Sequence, residues 1–555
     1  MSTEKSYLRL LVHPNYTMFT RVTLLFLLST LSVWAQKPTS IDSLITARPF
    51  TEYVKHLSSD AFEGRKPFSH GEEVTVKYLE TEFKKMGLKP GNNQSYFQDV
   101  PLVDILSKPS VPLKLATNNK ELKLNYLTDF VAASRWTDAK VTLENSEMVF
   151  VGYGIVAPEF GWNDYQGLNV KGKTVLVLVN DPGLADSTLF KGKTMTYYGR
   201  WTYKFEEAAR QGAAGVLLIH DTKAASYPWD VVRSGWSKSK LYLQSPDNNH
   251  SRAKVEGWLS KETTEKLLAM AGKSTDLYQQ AAKRGFKPVP LGVKASIALD
   301  NQVKTSVSKN VLAYLPGTDR AEEVVIYTAH WDHFGKGEPI NGDSIYNGAA
   351  DNGTGVAAIM ELAKAFTQLK KKPSRSLLFM SVTGEEQGLL GSEYYATHPV
   401  YPLSKTIANI NLDILQPFGR MKDVIIVGKG QSDLDDIVEE AARRQGRFTR
   451  PEFNPAGGWY FRSDHFNFAK VGVPSMYLEN GVVSIEHGEA WGRKKKEDYN
   501  TNHYHKPSDE YDPNWDLSGI IEDMRLLFNI GYKLTTEPVY PGWKKDSEFK
   551  NITRK

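Results

Sequence analysis

From about Ser308 onward, short apolar runs alternate with stretches in which apolar residues recur at helical spacing. Alternation of this kind is typical of a mostly parallel sheet flanked by helices. The runs predict buried strands at residues 324–328, 376–382, 407–412 and 424–427. The stretches between and after them predict helices at residues 355–369, 434–444 and 517–534. In open sheets of this class, ligands bind beyond the carboxyl ends of the strands, so we expect functional residues directly after these runs.

Between residues 145 and 295 the pattern changes to short strands separated by turns rich in glycine and proline. A helix over residues 205–211 is predicted to end at Gly212 and to lead into an apolar strand. We predict that residues 145–295 form a smaller α/β domain. It is inserted between an N-terminal part of the main domain, residues 37–144, and the remainder of that domain, residues 308–540.

The N-terminus has the features of an export signal. Arg21 precedes a short apolar run, and Val33, Trp34 and Ala35 resemble a cleavage site. We therefore predict a signal peptide over residues 1–35 and a secreted or periplasmic bacterial protein. An uncleaved anchor is the alternative, although the run is short for a membrane span. No later segment has the pattern of a transmembrane helix, so we expect no stable membrane insertion after cleavage.

Composition narrows the possible chemistry. With 41% hydrophobic and 24% charged residues, the 555-residue chain has an ordinary globular balance and is long enough for two or three domains. The net charge of +5 is small, and no basic stripe predicts a nucleic-acid partner. Cysteine is absent, so no thiol can act as nucleophile or metal ligand, and histidines and carboxylates remain as candidate zinc ligands. The sequence does not indicate an oligomeric state.

Five metal-capable residues lie at predicted strand ends or in loops. Two carboxylates and a histidine satisfy one catalytic zinc, and a shared carboxylate allows five residues to hold two zinc ions. Adjacent carboxylates after an apolar strand, such as Glu385 and Glu386, cost free energy in repulsion and desolvation unless a cation offsets them. The five candidate ligands, in chain order, are His330, Asp351, Glu386, Asp413 and His505.

The phrases around these residues resemble a known family. The chain from Lys37 to about Thr535 is similar to the dizinc aminopeptidase and glutamate carboxypeptidase family, in the form that carries an inserted protease-associated domain. The metal phrases are the specific part of this resemblance. The similar phrases are residues 57–65, 150–154, 208–215, 310–317, 329–333, 348–353, 383–386, 411–413 and 504–509.

The resemblance implies a role for each candidate ligand. It implies that His330 and Asp413 bind one zinc ion, that Glu386 and His505 bind the other, and that Asp351 bridges the two. It also implies a cis peptide bond directly after the bridging aspartate.

Three further residues receive roles from the resemblance. Glu385 is expected to be the general acid and base, and Asp332 to orient His330 through its second ring nitrogen. Tyr460 lies where some members of the family place a tyrosine that polarises the scissile carbonyl.

The resemblance thus implies a secreted zinc-dependent exopeptidase with two Zn²⁺ per chain and peptides as substrates. The expected activity is that of an aminopeptidase, in which Glu385 takes a proton from a water held between the zinc ions. A carboxypeptidase or dipeptidase on the same scaffold, a one-zinc enzyme that cyclises aminoacyl groups and a non-catalytic binding relative are the alternatives. The presence of Glu385 and all five candidate ligands argues against the last.

Overall fold

The computed structural model describes residues 41–554, so the predicted signal peptide over residues 1–35 lies outside the described residues. The chain divides into two units at residue 44, and α1 is the only element described before that point. The helices are α1 (Ile41–Leu44), α2 (Ala47–Leu57), α3 (His70–Lys85), α4 (Trp201–Arg210), α5 (Thr222–Ala225), α6 (Trp229–Trp236), α7 (Lys261–Met270), α8 (Asp276–Ala281), α9 (Gly355–Thr367), α10 (Leu390–Thr397), α11 (Leu434–Arg444), α12 (His465–Lys470), α13 (Gly488–Asn502) and α14 (Ser518–Thr536).

Strands supply the framework on which these helices pack. They are β1 (Lys89–Pro90), β2 (Phe97–Ala116), β3 (Glu121–Lys123), β4 (Phe130–Ala133), β5 (Lys140–Phe150), β6 (Val156–Ala157), β7 (Trp162–Asn163), β8 (Thr174–Leu178), β9 (Gly215–Ile219), β10 (Lys240–Leu243), β11 (Val255–Leu259), β12 (Val289–Leu315), β13 (Arg320–His330), β14 (Gly335–Ile340), β15 (Asp343–Tyr346), β16 (Arg375–Val382), β17 (Thr406–Asn411), β18 (Asp423–Ile426), β19 (Phe448–Pro451) and β20 (Ser475–Asn480).

The main sheet has the strand order β19-β18-β20-β17-β13-β16-β12. Its four central strands, β20, β17, β13 and β16, run parallel to one another, whereas β12 and β18 are antiparallel to their neighbours β16 and β20. This arrangement confirms the predicted mixed, mostly parallel sheet. The predicted strands and helices from residue 324 onward agree with the observed elements to within a few residues.

Helices cover both faces of the main sheet because side chains alternate between the faces along each strand. On β13, Ile326 packs in a cluster with Tyr395 of α10 and Phe468 of α12. The next residue, Tyr327, points to the other face, where its hydroxyl donates a hydrogen bond to the carbonyl of Leu527 in α14 at 2.8 Å. Burial on both faces explains why these strands read as continuous apolar runs.

Residues 130–259 form a second, smaller α/β arrangement with the strand order β5-β8-β9-β11-β4, in which only β4 is antiparallel to its neighbour. The strand β4 comes from residues before 145. Both arrangements belong to one continuous sheet, in which β12 pairs with β16 on one side and with β5 on the other. The strand β2 also pairs with β12, from Phe97 opposite Val311 to Ala116 opposite Lys294. Within residues 41–554, no helix is both long and apolar enough to span a bilayer.

Candidate active site

Three of the five candidate ligands meet because adjacent parallel strands end together. His330 is the last residue of β13, and Asp413 follows the end of β17. Glu386 follows β16 after a turn at Gly384, whose φ of 65° favours glycine. Since β17, β13 and β16 are neighbours, their carboxyl ends deliver these side chains to one place, as ligand sites in such sheets require.

The other two candidate ligands come from turns that pack against this edge. Asp351 lies in a π-helical turn, Ala349–Thr354, that leads into α9. Its peptide bond to Asn352 is cis, which confirms the predicted geometry. His505 lies in the loop after α13 with a φ of 59°. Its side chain is 35% exposed, whereas that of Asp351 is buried.

The two carboxylate oxygens of Asp351 face different histidines. Oδ1 lies 3.4 Å from Nε2 of His330, and Oδ2 lies 3.3 Å from Nε2 of His505. Asp413 Oδ1 lies 3.2 Å from the same nitrogen of His330, and Glu386 Oε2 lies 3.3 Å from that of His505. The side chains therefore form two triads, each with one histidine and two carboxylates, that share Asp351.

These separations fit zinc. A tetrahedral zinc ion with ligand bonds of about 2.0–2.1 Å has ligand–ligand edges of roughly 3.3 Å. The histidine–carboxylate distances in both triads, 3.2–3.4 Å, are close to that value. Three of the ligands, His330, Asp351 and Glu386, have candidate donor atoms that all lie within 4.8 Å of one another. Buried carboxylates that outnumber the histidines also need a cation to offset their repulsion and desolvation.

The role of the Asp332 side chain differs from the predicted one. Nδ1 of His330 lies 3.1 Å from the backbone carbonyl oxygen of Asp332, and its carboxylate is farther away, at 3.9 Å. The carboxylate instead accepts hydrogen bonds from the backbone N–H groups of Glu385 at 3.0 Å and Glu386 at 3.4 Å. Asp332 thus orients the histidine through its main chain and holds the turn of the two glutamates through its side chain.

The side chains of Glu385 and Glu386 diverge. Glu386 Oε1 lies 2.7 Å from Nδ1 of His333, and Glu386 faces His505 with its other oxygen. Glu385 lines the adjacent cavity, with Oε2 3.9 Å from His330 Nε2. Burial, followed by the charges of Asp413 and Glu386, holds the pKa of Glu385 well above its ordinary value, as suits a group that exchanges protons.

Tyr460 does not reach this site, and its predicted role needs correction. The ring is buried in an apolar cluster with Met195, Phe461 and Phe549, and its hydroxyl has no hydrogen-bond partner among the described residues. Trp459 and Tyr460 are successive residues of one 3₁₀ turn, in which side chains point about 120° apart. Trp459 lines the cavity, so Tyr460 is turned into the core.

Tyr504, unlike Tyr460, lies beside the candidate ligands. Its ring stacks on that of His505 with centroids 3.7 Å apart, and it lines the cavity. Burial, followed by the charges of Asp351, Glu386, Glu385 and Asp413, raises the pKa of Tyr504 well above its ordinary value. The hydroxyl therefore remains protonated beside the candidate ligands. Its place directly before His505 was the available signal in the sequence.

Two other residues that hold the ligand turn were also missed. The carboxylate of Asp509 accepts hydrogen bonds from the backbone N–H groups of Ala350 and Asp351, both at 3.0 Å. The buried guanidinium of Arg65 donates to the carbonyls of Trp331 at 2.9 Å and Gly348 at 2.8 Å. Both residues lie in phrases that carry the family resemblance, but nothing local indicated which backbone groups they bind.

A cavity of about 550 Å³ opens from the ligands. Asp351, Glu385, Asp413 and His505 form one end of it. Away from them its wall combines aromatic and charged side chains. These include Phe418, Glu452, Phe453, Trp459, Arg462, Tyr477, Glu479 and Lys496. A volume of this size is typical of a site for a small organic molecule or a short peptide end.

Residues between 145 and 295 support one wall of this cavity. The backbone N–H of Met195 donates to the carbonyl of Pro455 at 3.2 Å, and the side chain of Met195 packs beside Gly458. Lys470 binds Glu206 of α4 at 3.1 Å. The segment of residues 455–462, which carries Trp459 and Arg462 on the wall, therefore packs against Met195.

Comparison with known proteins agrees with this geometry. Residues 310–528 match the model of peptidase family M28. The chain is 32% identical to aminopeptidase NAALADL1 of Mus musculus over 138 residues, which are 23% of this chain and 17% of that protein. It is 27% identical to aminopeptidase YwaD of Bacillus subtilis over 252 residues, 44% of this chain and 47% of that protein.

The matched region spans about half or less of these two curated relatives. Among solved structures, an aminopeptidase from Aneurinibacillus sp. strain AM-1 is 20% identical, with a TM-score of 0.48 over 90% of this chain and 96% of that one. The match from residue 310 to residue 528 includes every candidate ligand and Glu385. The part of the chain that carries these residues, 310–528, therefore resembles peptidase family M28.

Proposed function

We propose that the protein is a zinc-dependent exopeptidase, most directly an aminopeptidase that removes N-terminal residues from peptides. One observation carries the proposal: the two oxygens of Asp351 face two different histidines, His330 and His505, beside Glu385 at the end of a cavity of about 550 Å³. Similarity to proteins named aminopeptidases supports cleavage at the N-terminal end of the peptide.

The two triads would each hold one zinc ion. His330, Asp413 and Oδ1 of Asp351 form the first set of donors, and His505, Glu386 and Oδ2 of Asp351 form the second. Zinc bound there supplies Lewis-acid chemistry, since it polarises a carbonyl and lowers the pKa of a bound water toward about 7.

Glu385 is the proposed general acid and base. Its carboxylate lines the cavity beside both triads, so it can take a proton from the attacking water and later deliver it to the leaving amine. The Tyr504 hydroxyl is the proposed donor to the carbonyl oxygen as negative charge develops there. Asp332 keeps Glu385 in place through the backbone N–H of that residue.

A carboxypeptidase or dipeptidase is the second candidate, because of Arg462. Its guanidinium lines the cavity and donates to the carbonyl of Gly457 at 2.8 Å. Its buried Nε has no hydrogen-bond partner within residues 41–554. A free α-carboxylate of the substrate is a chemical partner for such a group.

Hydrolysis of one tripeptide in three forms, free at both ends, N-acetylated and C-amidated, and of one free dipeptide separates these activities. A zinc chelator added to the free peptides tests the need for metal. An aminopeptidase cleaves the free and amidated forms and fails on the acetylated one. A carboxypeptidase cleaves the free and acetylated forms and fails on the amidated one, and a dipeptidase cleaves only the dipeptide. Absence of hydrolysis of the dipeptide and of every form of the tripeptide by zinc-loaded protein would refute the proposal.

We also propose that residues 145–295 form a domain that shapes access to the site, since Met195 supports the wall carrying Trp459 and Arg462. Substitution Met195→Ala should raise KM for a tripeptide several-fold while leaving kcat within about twofold. An unchanged KM in Met195→Ala would show that this contact does not affect substrate access.

Export remains part of the proposal because residues 1–35 have the pattern of a signal peptide. Expression in a bacterial host should give a periplasmic or secreted product that starts near Gln36. A cytoplasmic product that retains residues 1–35 would contradict export.

A further inference from the structure

Glu452 on the cavity wall has no cationic partner. It follows β19, and its Oε2 accepts a hydrogen bond from the backbone N–H of Gly428 at 3.0 Å. The side chain is half-buried. In the part of the chain that the structure describes, no lysine, arginine or histidine nitrogen lies within 4 Å of its carboxylate. A carboxylate in this position costs free energy of desolvation that no ion pair offsets.

Two of the three lysines and arginines that line the cavity form ion pairs with carboxylates, and the third, Arg462, donates to the carbonyl of Gly457 at 2.8 Å. Lys496 forms an ion pair with Glu479, and Arg493 forms one with Glu489. Glu479 adds a like charge near Glu452, and burial, followed by that charge, raises the pKa of Glu452. The balance of charge around Glu452 therefore favours a positive group that the chain itself does not supply.

Aromatic side chains beside Glu452 suit the stem and head of a basic residue. Phe453 and Trp459 line the cavity and are 41% and 37% exposed. The ring of Phe453 already has the guanidinium groups of Arg493 and Arg450 over it, at 3.9 Å and 4.5 Å from the centroid. Rings of this kind bind cations through their faces and pack along the methylene groups of lysine and arginine.

We propose that Glu452 is a specificity-determining residue that receives the charged end of an N-terminal lysine or arginine side chain, so that the enzyme prefers peptides with a basic first residue. This inference rests on the proposed aminopeptidase function. The metal ligands hold the scissile bond at one end of the cavity, the aromatic wall packs on the aliphatic stem, and Glu452 pairs with the ammonium or guanidinium group.

The test compares N-terminal lysine with norleucine, which has the same carbon chain without the ammonium group. For dipeptides with either first residue, kcat/KM is measured with the wild-type protein and with Glu452→Gln, which keeps the size of the side chain. The control is Glu497→Gln, because Glu497 also lines the cavity but is exposed, where ion pairs contribute little. Binding of lysinamide and norleucinamide is measured calorimetrically with the same three proteins.

We expect the wild type to prefer lysine about tenfold or more. Glu452→Gln should lower kcat/KM for lysine about 10- to 100-fold and leave that for norleucine within twofold; Glu497→Gln should change neither. Equal or better use of norleucine by the wild type, or an equal loss for both substrates in Glu452→Gln, would overturn the inference while leaving the peptidase function intact. If no peptide is cleaved, the proposed function fails, and weaker binding of lysinamide to Glu452→Gln alone would still support the cation site.

Discussion

The ring of Tyr504 lies on the ring of His505, with centroids 3.7 Å apart and an interplanar angle of 26°. Both residues line the cavity together with Asp351 and Glu385. Tyr460, the tyrosine that the family resemblance favoured, is buried on the other side of the wall.

The two tyrosines provide a matched pair of substitutions. Tyr504→Phe removes the proposed donor to the developing oxyanion and should lower kcat about 10²–10³-fold with little change in KM. Tyr460→Phe removes a hydroxyl that faces no substrate and should leave kcat within about twofold. Steady-state kinetics on one tripeptide compares the two variants. A larger loss of kcat in Tyr460→Phe than in Tyr504→Phe would show that Tyr460 is the donor to the carbonyl oxygen.

Substitutions of the adjacent residues Glu385 and Glu386 should have different effects on catalysis and metal binding. Glu385→Gln should keep the metal and lose at least about 10²–10⁴-fold in kcat, because the amide cannot accept a proton. Glu386→Gln should lose metal, because its carboxylate faces His505 as part of a triad. Metal content and single-turnover rates, measured for both variants, test these two roles. Loss of zinc from Glu385→Gln alone would reverse the two roles.

Asp509 should control metal affinity without binding metal. Substitution Asp509→Ala removes the acceptors of the N–H groups of Ala350 and Asp351, so the bridging carboxylate loses its support. Zinc affinity, measured by competition with a chelator, should fall about 10- to 100-fold. Asp512→Ala, at an exposed position of the same loop, is the control and should have no effect. Unchanged affinity in Asp509→Ala would show that Asp351 is held by other contacts.

His465 should make stability depend on pH. Burial lowers its pKa to about 3, below the value of about 6.5 expected in the unfolded chain. The neutral ring therefore stabilises the fold fully above pH 6.5, and this contribution is lost as the pH falls toward 3.

The loss should be about 2 kcal/mol between pH 8 and pH 5. His465→Phe should remove this part of the pH dependence, whereas His487→Phe, at an exposed position, should not. Chemical denaturation of metal-free protein at both pH values measures the effect. Parallel pH dependence in the wild type and His465→Phe would contradict it.

The sequence allowed the sheet to be predicted because its strands are buried on both faces and appear as apolar runs. Residues at the ends of those runs, such as His330 and Asp413, could be recognised for the same reason. The other features of the site depend on long-range packing, which the sequence pattern does not reveal. The positions of Tyr460 and Tyr504 depend on which side of a turn or loop faces the core, and the partners of Asp332 and Asp509 are backbone groups that no local pattern identifies.

Zinc content tests the central claim most directly. Purified protein, dialysed against zinc and then freed of loosely bound metal, is analysed for metal per chain in the wild type and in Asp351→Ala. The proposed pair of triads predicts about two zinc ions per wild-type chain and loss of both from Asp351→Ala, because each triad includes one oxygen of that side chain. One zinc ion or none in active wild-type protein, or full retention of zinc in Asp351→Ala, would contradict the shared site.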